Sequence, residues 1–323
     1  MGAETRRIWL SCPYHRRSDL LSRAFRCRYH HFGNVTEPKL VRYASGFIGS
    51  FITLLKERPR IVFVQNPSLA LAVHVVLMKP VFRYRLINDL HTPYIRLREP
   101  LRSIFWGLQR FCIRFADLTI VTNESFAREL DRPAIMVLPD KLPVVSVSGT
   151  RRLEGSATVL YVCTFADDEP YTEVIASARA LPADTHVYIT GNYRKRGIDP
   201  AGVPRNVHLT GFIPDNEYFE LMSSVDAVMV LTSQENCLVC GGYEGLAAGK
   251  PLILSNTVAM RLFFSKGAVY IDHDAASIAA GISKAIESRD RLRAELLGLG
   301  REIESDWLQK SAAIENVIQQ YER

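Results

Sequence analysis

At 323 residues, with 47% hydrophobic and 23% charged side chains, the chain has the length of about two globular domains and neither a disordered nor a fibrous composition. No apolar run approaches the roughly 20 residues that a membrane-spanning helix needs, and Glu4, Arg6 and Arg7 before a short apolar segment do not read as a signal peptide. Residues 1–145 hold 23 Lys and Arg against 11 Asp and Glu, a net of +12, whereas residues 146–323 carry a net of −6, so the first half alone suits an anionic partner: phosphorylated substrate, membrane surface or nucleic acid.

In chain order, Arg6–Leu10 reads as a strand, residues 11–19 as its loop and Leu20–Arg28 as a helix. Parallel α/β sheets bind ligands at the carboxyl ends of their strands, which makes His15, Arg16 and Arg17 candidates for an acceptor phosphate or a diphosphate. A helix over Phe47–Lys56 precedes a strand at Arg60–Gln65, which ends in Asn66-Pro67-Ser68 and turns into a helix around Leu69–Met78. The next strand, Arg85–Asn88, ends in Asp89-Leu90-His91-Thr92, and Leu118–Val121 leads to a helix capped by Asn123 or Ser125. Strands alternating with helices predict a doubly wound parallel sheet.

Between these last two strands, Ile95–Phe115 interleaves Arg96, Arg98, Arg102, Arg110 and Arg114 with aliphatic and aromatic residues at helical spacing. Such a helix suits either an anionic bilayer or the domain core. Leu138–Glu154, rich in Pro, Ser and Gly, has linker composition and divides the chain into residues 1–150 and 151–323.

The second series of strands starts at Val159–Cys163, followed by the acidic loop Asp167-Asp168-Glu169 and a helix over Tyr171–Ala180. Val187–Thr190 leads to Arg194-Lys195-Arg196, cations placed to hold a diphosphate; Val207–Thr210 leads to Gly211-Phe212-Ile213-Pro214 and a helix over Asp215–Ser223. Asp272-His273-Asp274 follows the short strand Val269–Ile271 and is expected to cap the next helix rather than bind a metal. Helices around Ala275–Ser288 and Ser305–Tyr321, the latter with Trp307, close the chain. Six scattered cysteines suggest reduced thiols in a cytoplasmic protein, and Cys237-x-x-Cys240 lacks the second pair or nearby histidine of a metal site.

The most informative stretch is residues 233–256, a loop, helix and strand following the apolar Val225–Leu231. Gly241-Gly242 fall where the loop becomes the helix, where a ligand could approach the backbone and meet the first N–H groups. Glu244 is expected in the first turn, where its carboxylate could accept two sugar or ribose hydroxyls. Gly249-Lys250-Pro251 stops the helix.

This segment resembles the donor-binding stretch of GT-B glycosyltransferases, in particular retaining family 4, whose pattern is Glu, seven residues, Glu, Ala, then Gly-x-Pro. Residues 244–251 match the second half. Eight residues separate Glu235 from Glu244 and seven separate Asn236 from it, so either side chain could take the sugar-contacting role. Gln65-Asn66-Pro67-Ser68 is similar to an Asn-Pro motif of mannosyltransferase-like members, and Asp89-Leu90-His91 to the region facing the donor sugar. Phe212 and Ile213 match the loop that flanks the nucleotide base.

The resemblance implies a GT-B fold, two Rossmann-like domains facing across a cleft, with the last helix crossing back to the first. It implies transfer from a nucleotide-diphosphate sugar to a glycan or lipid-linked acceptor, with retention; helix dipole and cations can replace a divalent ion, so neither metal nor cofactor is expected, and the cysteines and basic first half suggest a cytoplasmic protein at the membrane periphery. In that reading His91, Glu235 and Asn236 serve the reaction; Glu244, Gly241, Gly242, Arg194, Lys195, Phe212 and Ile213 bind the nucleotide; and His15, Arg16 and Arg17 face the acceptor. One departure is the acidic Asp167-Asp168-Glu169, where the family has Arg and Lys. It keeps open a catalytically silent subunit bound to a partner transferase, beside an epimerase or phosphorylase on the same scaffold. Nucleic acid explains the basic half but not Gly-Gly-Tyr-Glu, and is not expected as a partner.

Overall fold

The computed structural model describes residues 6–34, 36–66, 68–91, 100–130, 132, 134–145 and 149–323. Expectations for Pro67, Thr92, the Ile95–Glu99 part of the arginine run and the 146–148 part of the linker lie outside them. The chain forms two compact units, one of Met1–Lys141 with Trp307–Arg323 and one of Leu142–Asp306.

In the first unit the order is β1 (Arg7–Ser11), α1 (Arg16–Ala24), β2 (Arg28–His31), α2 (Lys39–Glu57), β3 (Ile61–Asn66), α3 (Leu69–Phe82), β4 (Arg85–Leu90), α4 (Leu101–Phe115), β5 (Leu118–Val121), α5 (Glu124–Leu130) and β6 (Ile135–Val137). The strands make one parallel sheet in the order β2-β1-β3-β4-β5-β6. β1 and β3 are buried along their whole length, the consequence of helices on both faces of a parallel sheet. On one face Trp9 stacks on Phe63 at 4.7 Å and Phe25 on Phe63 at 5.6 Å, in a cluster with Trp307, Ile314 and Ile318. Arg7, itself buried, adds ion pairs to Glu315 (2.8 Å) and Glu322 (2.7 Å), which hold the chain's last residues in this unit.

The second unit contains β7 (Ala157–Tyr161), α6 (Tyr171–Ser177), β8 (Thr185–Thr190), β9 (Val207–Gly211), α7 (Asp215–Ser224), β10 (Ala227–Val230), α8 (Cys240–Ala247), β11 (Leu252–Ser255), α9 (Val258–Phe263), β12 (Ala268–Ile271), α10 (Ala275–Glu287) and α11 (Arg289–Glu322), whose residues from Trp307 onward count with the first unit. Its sheet is also parallel, with order β12-β11-β10-β7-β8-β9. Asp274 caps α10 as expected, its side chain accepting the Ser277 N–H at 2.9 Å. Asn123 does the same for Phe126 ahead of α5, at 2.9 Å.

Two expectations need correction. The helix placed at Leu20–Arg28 starts at Arg16 and ends at Ala24, because residues 28–31 pair with β1 as an edge strand. Arg-Tyr-His-His carries no apolar signal, and an edge strand with half-buried and exposed residues needs none. The linker reading of residues 138–154 differs as well: Leu142 already packs against the core of the second unit, and Leu138 is fully buried in the first.

Candidate functional site

In the second unit strand order reverses between β7 and β10, the switch point where parallel sheets open a crevice at their carboxyl ends. The loops leaving these strands are hydrogen-bonded together. Asp168 accepts from Thr232 Oγ1 (2.7 Å) and Gln234 Nε2 (3.1 Å), and its carbonyl accepts the Ser233 N–H (2.8 Å). Glu169 turns back onto its own loop and accepts the N–H groups of Thr164 (2.9 Å) and Ala166 (2.7 Å). This bracing holds buried Phe165 in the left-handed region at φ 59°. Asp167 pairs with Arg196 at 2.5 Å. The acidic loop thus finds its hydrogen-bond partners within the protein, and of the three cations expected to face a diphosphate Arg196 is committed to it. Arg194 and Lys195 are exposed.

α8 lies against this crevice, and its glycines pack closely on the protein. Gly241, Gly242 and Gly245 are buried. An added Cβ would stand 3.0 Å from Val162 at Gly241, 2.8 Å from the Phe264 ring at Gly242 and 2.7 Å from Leu252 at Gly245. They let the helix press on the sheet and on Phe264. The helix starts at Cys240, which puts Glu244 in its second turn rather than its first. Glu244 Oε2 accepts a 2.6 Å hydrogen bond from Tyr218, whose phenol burial and the neighbouring carboxylate keep protonated far above its ordinary range. The end of α8 is as read: Gly249 is left-handed at φ 65° and the Lys250 N–H returns to the Gly245 carbonyl at 2.9 Å.

Of the two residues competing for the sugar-contacting role, Asn236 is buried and Glu235 exposed, the latter reaching the Val258 N–H at 3.4 Å. Phe212, just past edge strand β9, is 88% exposed, while Ile213 packs against the core. Sequence reading missed Tyr218 and the bracing set Asp168, Thr232 and Gln234. Tyr218 lies 26 residues from Glu244, and no local pattern links them.

The first unit places His15, Arg17, Asp89 and His91 together at the carboxyl ends of its strands. Arg17 is the correction here. It was expected to face an acceptor; instead it is buried, donating to Asp89 (2.9 Å), Asp140 (2.5 Å) and the Leu138 carbonyl (2.9 Å). Asp89 is fully buried; burial alone would raise its pKa, but the Arg17 charge and His91 outweigh it and hold the carboxylate ionised below the usual range. His91 Nδ1 lies 3.5 Å from Asp89 Oδ2, and the His15 and His91 rings are 4.5 Å apart. Burial, then His91, pushes the His15 pKa down to about 4, so the ring is neutral at pH 7. Its backbone N–H donates to Tyr29 Oη at 3.0 Å. Asn66 is buried in an amide cluster with Gln109 (2.6 Å) and Asn88 (3.2 Å), a structural placement. Arg16 is exposed at the start of α1.

α4 has one side in the core and one side exposed. Phe105, Gln109 and Cys112 face the core; Leu101, Ile104, Leu108 and Phe115 are exposed; and Arg102, Trp106 and Arg110 line a cavity of about 680 Å³ with residues 129, 130 and 132. Among the described residues one group of three, Glu154, His186 and His208, has the spacing of metal ligands. It lies at the amino ends of β8 and β9, away from the crevice, and its two imidazoles are hydrogen-bonded at 2.7 Å.

Residues 149–297 match the family model of glycosyl transferases group 1. Sucrose-phosphate synthase from Thermosynechococcus elongatus has a similar structure, with a TM-score of 0.76 at 13% identity over 98% of both chains. HepE of Anabaena in complex with UDP and glucose gives 0.70 at 12% identity over 98% of both. A glycosyltransferase from Rickettsia africae gives 0.71 at 9% identity over 99% of this chain and 100% of that one. No curated protein matches in sequence. The chain has the GT-B fold of these structures, and its residues 149–297 are similar to glycosyl transferases group 1.

Proposed function

We propose that the protein transfers a sugar from a nucleotide-diphosphate donor to a glycan or lipid-linked acceptor. The observation that carries this is the group 1 match over the unit whose switch-point crevice is flanked by α8 with its Glu244–Tyr218 pair. Glu244 holds the ribose; Phe212 stacks on the base with Ile213 behind it; and Arg194, Lys195 and the positive end of the α8 dipole at Cys240 and Gly241 carry the diphosphate. Gly242 assists only by letting α8 pack on Phe264. Asn236, with Glu235 at the rim, takes the sugar hydroxyls. As the bond to phosphate breaks, negative charge grows on the leaving diphosphate, and donors fixed beforehand lower that barrier without a metal or other cofactor. His91 and neutral His15 serve the acceptor hydroxyl by hydrogen bonding, with Arg16 at the edge. Transfer retains anomeric configuration, a reading that rests on the likeness to family 4. The similar HepE structure holds UDP and glucose, and that of a spinosyn rhamnosyltransferase holds thymidine diphosphate, which supports a pyrimidine nucleotide here. The protein works in the cytoplasm, docked peripherally on anionic membrane through its basic first half.

A panel of radiolabelled sugar nucleotides tests this reading: one donor turns over, remains active in excess chelator, and gives a first product with the donor's anomeric configuration by proton NMR. Loss of activity in chelator with return on adding magnesium or manganese overturns metal independence, and an inverted linkage overturns retention. The acidic loop and its hold on Arg196 favour one second reading, a catalytically silent subunit binding a partner transferase. Nucleotide binding without turnover of any donor selects it.

A further inference from the structure

A surface helix ordinarily turns its apolar stripe inward. α2 does the reverse. The residues it buries are Gly46, Ser50 and Leu54, and the Ser50 hydroxyl is folded back onto the Gly46 carbonyl at 2.6 Å. Its outward side carries Leu40, Phe47, Ile48, Phe51, Ile52 and Leu55, each between 39% and 81% exposed and spaced to form one continuous stripe. α2 packs beside α3, where Phe51 meets Phe82 edge-on at 5.9 Å, and α3 extends the apolar surface with Leu77 and Val81, 54% and 66% exposed. A stripe of this size on a monomer marks a surface that is covered in use.

Charge identifies the cover. Lys39 lies at the start of α2, Lys56 and Arg58 at its end, and Arg83 follows α3; all four are exposed. The one carboxylate of α2, Glu57, is held by Arg28 (3.3 Å) and His30 (2.9 Å). An apolar stripe with cations at both ends matches the boundary between acyl chains and anionic headgroups. No helix among the described residues is long and apolar enough to cross a membrane, and the inner side of α2 is committed to its own sheet. The helix therefore lies in the interface plane.

We propose that α2 is the membrane-docking element, inserting its outward stripe into one leaflet of an anionic bilayer with Lys39, Lys56, Arg58 and Arg83 on the headgroups. This rests on the peripheral-membrane reading above and names the surface that performs it; α4, with its arginines lining a cavity, is secondary.

Flotation with phosphatidylcholine vesicles, with and without phosphatidylglycerol, tests it on the full chain. The wild type is expected to float with anionic vesicles and to keep part of its binding at high salt, because apolar insertion is not screened. Ile48→Ser combined with Ile52→Ser is expected to lower binding about tenfold or more, since each isoleucine leaves lipid for water. The melting temperature should fall only slightly, as Ile48 is 61% and Ile52 42% exposed in the free protein. Should that variant fold poorly, Ile48→Trp replaces it: brominated lipid is expected to quench its fluorescence beyond that of the wild type, and an unchanged signal overturns the proposal. Equal flotation of the wild type and the double serine variant leaves the membrane reading in place and overturns the role of α2. No flotation with any vesicle overturns both. A dimer of the wild type that the double variant loses, without vesicle binding, assigns the stripe to a second copy of the chain and overturns the lipid.

Discussion

The two sheets each have six parallel strands, yet they stabilise their strand ends by opposite means. In the first unit the charges near the carboxyl ends are spent internally: Arg17 and Asp89 are buried together, and Asp140 closes the pair from the segment leaving β6. In the second unit the loops of β7 and β10 are joined by hydrogen bonds through Asp168, and Arg194 and Lys195 stay in solvent. The reason lies in desolvation. A buried ion pair is costly to form and more costly to halve, so it acts as a fixed strut, whereas an exposed cation keeps its charge available for an anion. Net charge misleads on this point, since the first unit is the more basic.

The largest effect expected from this contrast is on stability. Arg17→Ala leaves Asp89 charged, buried and unpaired, which should cost the first unit about 3–5 kcal/mol. Trp9, Trp106 and Trp307 all belong to that unit, so tryptophan fluorescence during urea unfolding reads it separately from the other. A loss below about 1 kcal/mol would mean that the pair behaves as a surface one, and the contrast would fail.

Acid should also weaken the first unit through His15. An unfolded histidine takes up a proton near pH 6.5, and the folded one only near about 4, so the unfolded state binds more protons between these values. The contribution is complete above about 6.5 and is lost as pH falls toward 4, amounting to about 3 kcal/mol at most. Fluorescence-monitored stability against pH checks this, with His15→Asn expected to flatten the slope in that window.

The second unit should respond in binding. Glu244→Ala is expected to weaken nucleoside diphosphate affinity by about 1.5–3 kcal/mol, the value of a charged hydrogen bond. Phe212→Ala should cost about 1 kcal/mol of affinity through lost stacking and nothing in stability, because the ring is 88% exposed. Calorimetry ranks the two variants. Unchanged affinity in Glu244→Ala for every diphosphate that the parent binds removes the carboxylate from the site.

By itself the sequence determined the alternation of strands and helices, the stop of α8 at Gly249, the capping of α10 from Asp272-His273-Asp274, and the likeness to GT-B glycosyltransferases; it narrowed the cap of α5 to Asn123 or Ser125. These are signals carried within a few residues: periodicity, turn chemistry and a motif. Tertiary structure decided what depends on partners far along the chain. Arg17 is separated from Asp89 by 72 positions and from Asp140 by 123, so nothing near Arg17 marked it as structural rather than ligand-facing. Gly241 and Gly242 mark a loop-to-helix junction in the sequence, but only the fold shows the sheet and Phe264 packed against them. The sequence marked a helix over Phe47–Lys56, shorter than α2, but not which side of it turns inward; that is set by the sheet beneath, which here accepts glycine, serine and Leu54.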